Sequence, residues 1–464
     1  MDPKISVLLP SLNVASYIRE CLESVVTQTF KDMEIICVDA GSDDGTLGVL
    51  EEYAGKDGRI RILKSPRRSY GLQVNMGLDA AAGEYVGIVD TDDFIRENMY
   101  EVLYGYAKSH DADFVKSDFE VFVHADNGER IYMPYPVTWA CSARYGKCFT
   151  KTDLAYSMQT PDVFLWNGIY KREFLLENDI RFNETDGAAI QDCGVRYKID
   201  LCLNKGYYLK QSLYCYRRDN AGASSYSSDI LLYHLNEFQS IMGFAEAKGN
   251  LLEEQWSFLA REMAIISFRT YQDMLVWGKP SEGTFEAMER IRDIVRHMEK
   301  RGALSAAFMT PNAILEARLF LDDPRLCDGF ARTRAKAILE GLHSFLDRVS
   351  SKEKVWIFGS KRVADYAYLF LRNNGVGNIA GFFDNDKKRQ GGRKFNLPIV
   401  CPEEMAEKEK NAYFLIASTG YIDEIENWLN GHGFSRKQYE VYGGAFEQLL
   451  HPFICTNILI KEAT

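Results

Sequence analysis

Apolar positions along this chain come in two patterns. Ile5–Leu9, Glu34–Val38, Ile60–Leu63 and Tyr85–Val89 are near-continuous apolar runs, each long enough for one buried strand. Between the first two, Ile18, Cys21, Leu22, Val25 and Val26 recur at helical spacing. Pro10-Ser11-Leu12-Asn13 breaks the first run, with Asn13 the expected N-cap. Gly45-Thr46 opens a second helix, and Gly71–Ala82 reads as a third. Strand and helix in strict alternation predict an α/β domain on a mostly parallel sheet with right-handed crossovers. Further on, Phe119, Val121 and Val123 alternate as an edge strand would, and an aromatic, proline-containing loop runs on towards Cys148.

The pattern changes after residue 228. Ile230, Leu231, Leu235, Phe238, Ile241, Met242 and Ala245 lie at helical spacing, as do Trp256, Leu259, Met263, Ile266 and Tyr271. Gly278-Lys279-Pro280-Ser281 interrupts them. Strand runs return at Val355–Phe358, Ile379–Phe383, Leu397–Val400 and Tyr413–Ala417. The expected organisation is an α/β domain over 1–228, a helical connecting region over 229–350 and a second α/β domain over 351–464.

Length and composition narrow the class. At 464 residues, two or three domains are expected. Apolar residues make up 46% and charged ones 26%, as in a soluble globular protein. No apolar run approaches the roughly 18 residues of a membrane span, and Met1-Asp2-Pro3-Lys4 leads directly into a strand without a signal-peptide pattern. A net charge of −11 argues against nucleic acid as a partner. The 10 cysteines form no C-x-x-C pair. Cys21, Cys37, Cys193 and Cys215 sit in apolar contexts and read as buried small hydrophobes, which fits a reduced, cytoplasmic setting without a zinc site.

The candidate chemistry is concentrated where the fourth strand ends. Tyr85–Val89 runs into Asp90-Thr91-Asp92-Asp93. In open α/β sheets, ligands bind beyond the carboxyl ends of the strands. Hard cations such as Mg²⁺ take one or two carboxylates together with phosphate oxygens of a substrate. Asp90-x-Asp92 at that position reads as a metal-diphosphate site.

Six segments in order carry a more specific resemblance. They are Ser6 to Asn13, Ile36 to Thr46 around Asp39, Asn75-Met76-Gly77-Leu78 with Gly83-Glu84-Tyr85, Asp90 to Asp93, Trp166 to Lys171 with Gln191-Asp192, and Tyr216-Arg217-Arg218 with Ser224-Ser225. Over its first ~225 residues the chain resembles a family 2 glycosyltransferase of the GT-A fold. The resemblance implies donor contacts at Pro10, Asn13, Asp39, Asn75, Asp90, Thr91, Arg217 and Ser224. It implies acceptor-side positions at Trp166 and Asn167, and a loop after Tyr216 that closes over the donor.

The residue chemistry accords with those roles. Asp39 can accept a hydrogen bond from a uracil N–H or a ribose hydroxyl, and Pro10 shapes its loop against a flat base. Asp92, with Asp90 beside it, is the expected ligand of Mn²⁺ or Mg²⁺, an ion that neutralises charge on a departing diphosphate. Asp192, at a helix start, is the expected general base.

The chain departs from the family pattern in two places. Gln73-Val74-Asn75 stands where Ala-Arg-Asn is usual, so the arginine that contacts base or diphosphate is missing. Lys64, Arg67 or Arg68 would have to replace it. The usual Glu-Asp pair is Gln191-Asp192, which leaves Asp192 the only member able to take a proton.

The expected activity is inverting, metal-dependent transfer of a sugar from a nucleoside diphosphate, uridine first, to a hydroxyl of a glycan or lipid-linked acceptor. The resemblance places it in bacterial surface polysaccharide or glycoconjugate assembly at the inner face of the membrane, where the protein would meet lipid only through its acceptor. The alternatives are a non-catalytic binding scaffold and a bifunctional NAD-linked enzyme. The last alternative arises because 351–464 resembles a Rossmann-like accessory domain. Gly359 begins its turn, but Ser360, Lys361, Arg362 and Val363 replace the remaining glycine pattern of a dinucleotide fingerprint. Asp384 sits where a ribose contact would be. This domain is expected to support self-association, with a symmetric homodimer the expected assembly.

Overall fold

A computed structural model describes residues 2–125, 127–137, 145–153, 163–220, 229–277, 280–304 and 311–443. Two compact units divide them: 1–120, 134–274 and 279–331 form one, and 121–133, 275–278 and 332–464 the other.

The first unit begins β1 (Ile5–Ser11), α1 (Ile18–Val26), β2 (Met33–Asp39), α2 (Thr46–Ala54), β3 (Ile60–Lys64), α3 (Tyr70–Ala80) and β4 (Tyr85–Ile88). Every apolar run expected to be a strand is one. After β4 come β5 (Phe94–Ile95), α4 (Met99–His110), β6 (Phe114–His124), β7 (Arg130–Tyr135), β8 (Cys148–Phe149), β9 (Gly168–Lys171), α5 (Arg172–Glu177), α6 (Gln191–Cys202) and β10 (Gly206–Arg217). Five helices follow: α7 (Ile230–Lys248), α8 (Glu253–Trp277), α9 (Gly283–Glu299), α10 (Pro311–Asp322) and α11 (Pro324–Ser350). Of these, α11 from Arg332 on and the end of α8, like the parts of β6 and β7 within 121–133, count with the second unit.

The strands form one sheet in the order β3-β2-β1-β4-β9-β6-β10-β5, with β7 paired to β6 and β8 to β10. β1 pairs in parallel with β2 and β4, which sets the ends of all three side by side. Their side chains are almost wholly buried, as strands covered on both faces must be. Helix α1 buries Ile18, Cys21, Leu22 and Val25, the stripe its sequence marks out.

Three local expectations are corrected. Asn13 caps no helix: α1 starts at Ile18 after Tyr17, and Asn13 sits in the left-handed region at φ 53°. Such a conformation is tolerated by asparagine and suits a turn. β6 is an internal strand, because β9 and β10 flank it and Phe119, Val121 and Phe122 are all buried. Apolar residues on both of its faces, rather than strict alternation, were the sign of that position. Cys193 is half-buried in the first turn of α6, whereas Cys21, Cys37 and Cys215 lie in the core.

The second unit contains β11 (Val355–Phe358), α12 (Arg362–Asn373), β12 (Ile379–Phe383), β13 (Arg393–Lys394), β14 (Leu397–Val400), α13 (Pro402–Met405), β15 (Tyr413–Ile416), α14 (Ile422–Gly431) and β16 (Tyr439–Val441). Its sheet order is β13-β14-β12-β11-β15-β16. Trp356, Phe358, Phe383, Phe414 and Ile416 form its core. The order reverses between β11 and β15, the place where such sheets bind ligands. Gly359 turns there at φ 117°, and a methyl group on it would lie 2.7 Å from the Ala417 carbonyl oxygen. The next residue is fully buried: Ser360 Oγ donates to Asp384 Oδ2, while Arg389 and Lys394 donate to the Ser360 carbonyl at 3.2 and 2.8 Å. Asp384 also accepts from the Asp386 amide at 2.8 Å, so both of its carboxylate oxygens are engaged within the unit.

Candidate functional site

The turn after β4 is built into its surroundings from three sides. The Asp93 amide donates to the Asp90 carbonyl at 3.0 Å and closes the turn. Thr91 Oγ1 donates to the Pro10 carbonyl at 2.9 Å, which ties the turn to the end of β1. From β10, Tyr214 donates its hydroxyl to Asp93 Oδ2 at 2.7 Å, and the Arg217 amide donates to Asp93 Oδ1 at 2.7 Å. Arg217 is buried; its Nε donates to the Asp92 carbonyl at 2.7 Å and its Nη2 pairs with Glu20 at 2.7 Å. Asp93 and Arg217 are therefore structural members of the turn. Asp90 and Asp92 are left with their carboxylates facing the site.

A third carboxylate, from far along the chain, adds its charge to that felt by Asp90. Tyr70, at the start of α3, donates its hydroxyl to Asp90 Oδ1 at 2.9 Å, and Asn220 donates Nδ2 to Asp92 Oδ2 at 2.8 Å. Asp192 lies in the first turn of α6, where the Cys193 amide donates to its Oδ1 at 2.9 Å. Burial, then the charge of Asp92, then that of Asp192 push the Asp90 carboxyl up to about 8. Burial pushes Asp192 up to about 6, against the pull of the hydrogen bond from Cys193 and the positive charge of Lys116. Asp93 is raised well above the usual carboxylate range by burial and by Asp92 and Asp90. Like charges held this close strain the site unless a cation or a proton is shared among them.

The groups expected to meet the nucleotide form a second cluster, at the ends of β1 and β2. Asp39 Oδ2 accepts from the Gly41 and Ser42 amides at 2.9 and 3.1 Å, and Oδ1 accepts from Ser42 Oγ at 2.5 Å. Asn13 donates its amide to Ser42 Oγ at 3.0 Å and accepts from the Asp43 amide at 2.9 Å. Gln73, where the family pattern has alanine, is buried and donates to the Ser11 and Val38 carbonyls at 2.9 and 2.5 Å. Val74, in the arginine position, is core. Of the cations considered in its place, Lys64 is exposed, Arg67 pairs with Glu184 at 3.1 Å, and Arg68 pairs with Asp43 at 3.5 Å.

Three further site residues are occupied in holding elements together. Asn75 donates to the Phe182 carbonyl and to Glu184 Oε1, each at 3.0 Å, and accepts from the Phe182 amide at 3.0 Å. Trp166 is buried, stacked on Tyr214 at 4.2 Å and on Tyr216 at 5.1 Å. Asn167 donates to the Ser117 carbonyl at 2.7 Å, while its Oδ1 has no hydrogen-bond partner among the described residues. Ser224 and most of the loop expected to close over the donor lie outside the described residues.

The structure thus puts Asp90 within reach of the charges of Asp92 and Asp192, links Thr91 to Pro10 and, through Ser42, Asn13 to Asp39, and engages Asn75, Trp166 and Asn167 in contacts between elements. Sequence reasoning missed Tyr70, Tyr214, Glu20 and Asn220, whose partners are all distant in the chain. The donor set facing the site is all oxygen. No three His, Cys, Asp or Glu side chains close around one point among the described residues. Asp90 and Asp92 are oxygen ligands of the type a hard divalent ion takes when substrate oxygens complete its shell.

Comparison with known proteins bears on the whole arrangement. The family model for Glycosyl transferase family 2 matches residues 6–177. Glycosyltransferase GlyG of Streptococcus pneumoniae is 31% identical over 227 residues, which span 47% of this chain and 72% of that protein. A cholesterol galactosyltransferase of Borreliella burgdorferi is 35% identical over 38% of this chain and 51% of its own length. The uncharacterized glycosyltransferase EpsJ of Bacillus subtilis is 31% identical over 40% of this chain and 54% of its own length. Among solved structures, S. aureus TarS 1-349 in complex with UDP-GlcNAc aligns with a TM-score of 0.54 at 20% identity, over 73% of this chain and 92% of that one. That likeness establishes the GT-A type of fold. Among the described residues no helix is long and apolar enough to cross a membrane.

Proposed function

This chain belongs to glycosyl transferase family 2, and from that premise we propose that it is an inverting, metal-dependent hexosyltransferase. It moves one sugar from a nucleoside diphosphate to a hydroxyl of a glycan or glycolipid. The observation that carries this reading is that the charge of Asp192, at the start of α6, reaches Asp90 at the end of β4, where Asp92 also acts on it. Uridine diphosphate sugars are the first donors to test, since TarS, which shares the fold, has been solved with UDP-GlcNAc.

In this reading Asp92 and Asp90 would hold Mn²⁺ or Mg²⁺, whose charge stabilises the departing diphosphate. Asp192, ionised, accepts the proton of the acceptor hydroxyl as that oxygen bonds to the anomeric carbon and the carbon–phosphate oxygen bond breaks on the opposite face. The proton stays on the Asp192 carboxyl until solvent takes it. A base raised to about 6 suits the task, because it is mostly ionised at neutral pH yet binds a proton more strongly than an exposed aspartate. Tyr70 steadies Asp90 from the α3 side, and Arg217 steadies the Asp92 backbone from below.

The second unit is proposed to support self-association rather than to bind NAD. Asp384 is already engaged with Ser360 and Asp386 where a ribose would need it.

The test is hydrolysis and transfer with a panel of nucleotide sugars, with Mn²⁺ and with EDTA. Turnover should need the metal. It should also fall on the acid side of about pH 6, roughly tenfold per unit, because the protonated form of Asp192 is the inactive one. A flat rate down to pH 5 would remove Asp192 from the role of base. Rates unchanged by EDTA would remove the metal.

A further inference from the structure

The first turn of α6 carries Asp192 on one side and presses on α7 with the other. Gly194 makes that contact: a methyl group on it would lie 1.9 Å from Glu237 Oε2. Glu237 is only 2% exposed. Its Oε1 accepts from Asn183 Nδ2 at 3.1 Å, and its Oε2 has no hydrogen-bond partner among the described residues. Asn183 is in turn packed on α3, since a methyl group on Gly71 would lie 2.0 Å from the Asn183 carbonyl oxygen. Gly71 follows Tyr70, whose hydroxyl holds Asp90.

One buried carboxyl therefore stands at the junction of three elements, two of which deliver the groups around the reacting site. Glu237 lies beyond residues 6–177, the part matched by the family model. Asp192, Cys193 and Lys198 of α6 are the titratable groups whose charge it feels or affects. Burial raises its carboxyl to about 8, which makes it a neutral acid at pH 7. It is thus a compact wedge and not a competing negative charge.

We propose that Glu237 is a positioning residue for Asp192: it seats the first turn of α6 through Gly194 and, through Asn183, ties that turn to the start of α3. The role assigned to Asp192 rests on the transferase reading above, but the contact itself can be tested without it. Cys193, half-buried between Asp192 and Gly194, is a natural reporter of where the turn sits. Two measurements on the full chain decide the matter. One is the rate of Cys193 alkylation by iodoacetamide, followed by peptide mass spectrometry. The other is hydrolysis of UDP-GlcNAc with Mn²⁺.

Gly194→Ala should shift the alkylation rate by about threefold or more. It should lower kcat by about tenfold or more while leaving KM for UDP-GlcNAc within about twofold, since a displacement near 1 Å suffices for such losses. Removing the obstructing carboxyl in Gly194→Ala/Glu237→Ser should return both values most of the way to wild type. Glu237→Ser alone should speed alkylation, and it serves as the second test if Gly194→Ala does not fold. The proposal fails if Gly194→Ala leaves both rates unchanged, if the double variant is no better than the single one, or if Glu237→Ser leaves Cys193 as it was. If the wild-type protein does not cleave UDP-GlcNAc, that donor reading fails, and the alkylation rates still decide the contact.

Discussion

Asp92→Ala is expected to abolish sugar transfer and to weaken diphosphate binding in Mn²⁺ by about 2 kcal/mol or more, the scale of a lost metal-bridged contact. The structure makes this a clean experiment. The turn that carries Asp92 is held by its backbone and its neighbours: Arg217 binds the Asp92 carbonyl, Asp93 binds Tyr214 and Arg217, and Thr91 binds Pro10. Only the bond from Asn220 reaches the Asp92 side chain among those described. Loss of that carboxylate should leave the fold in place, as thermal unfolding of the variant would verify. Calorimetry with UDP in Mn²⁺ and in EDTA is the deciding measurement. Equal affinity in the two, in the wild-type protein, would overturn the role given to Asp92.

Asp192→Asn is expected to lower kcat by about 10² to 10⁴, the usual range for a lost general base, with little change in donor affinity. Asparagine keeps the shape, and its Oδ1 can still accept from the Cys193 amide, so the helix start should survive. The change removes the proton acceptor and little else. Steady-state kinetics with the best donor of the panel would check it. Near-wild-type turnover would move the base to Glu184 or Asp186. Both are poorer placed: Glu184 is held by Asn75 and Arg67, and Asp186 is exposed and 3.8 Å from Arg67.

Much of the fold was legible because parallel strands covered on both faces must be apolar throughout. Ile5–Leu9 and Tyr85–Val89 announce themselves for that reason, and the carboxylates after Tyr85–Val89 mark which end faces a ligand. The same reasoning misjudged β6, where Phe119 and Val121 alternate but Phe122 fills the opposite face. It also misjudged Asn13, whose turn is shaped by Ser42 and Asp43, about thirty residues away.

By itself the sequence determined the α/β class, the strand that ends in Asp90-Thr91-Asp92-Asp93, and the family the chain resembles. These follow from local apolar runs and from side-chain type, which depend on no partner. Tertiary structure alone decided what each polar group does. Asp39, Asn75 and Trp166 have the right chemistry to touch a substrate, yet Asp39 closes its own turn on Gly41 and Ser42, and Asn75 and Trp166 join one element to another. Tyr70 and Glu237 carry no signal in the sequence, yet Tyr70 holds Asp90 and Glu237 abuts the turn that carries Asp192, while Arg217, expected to meet the donor, is buried against the Asp92 backbone. The physical reason is common to all of them. The partner of a buried hydrogen bond, and the shift a carboxyl feels from burial and from its neighbours, are set by segments that meet only when the chain is packed.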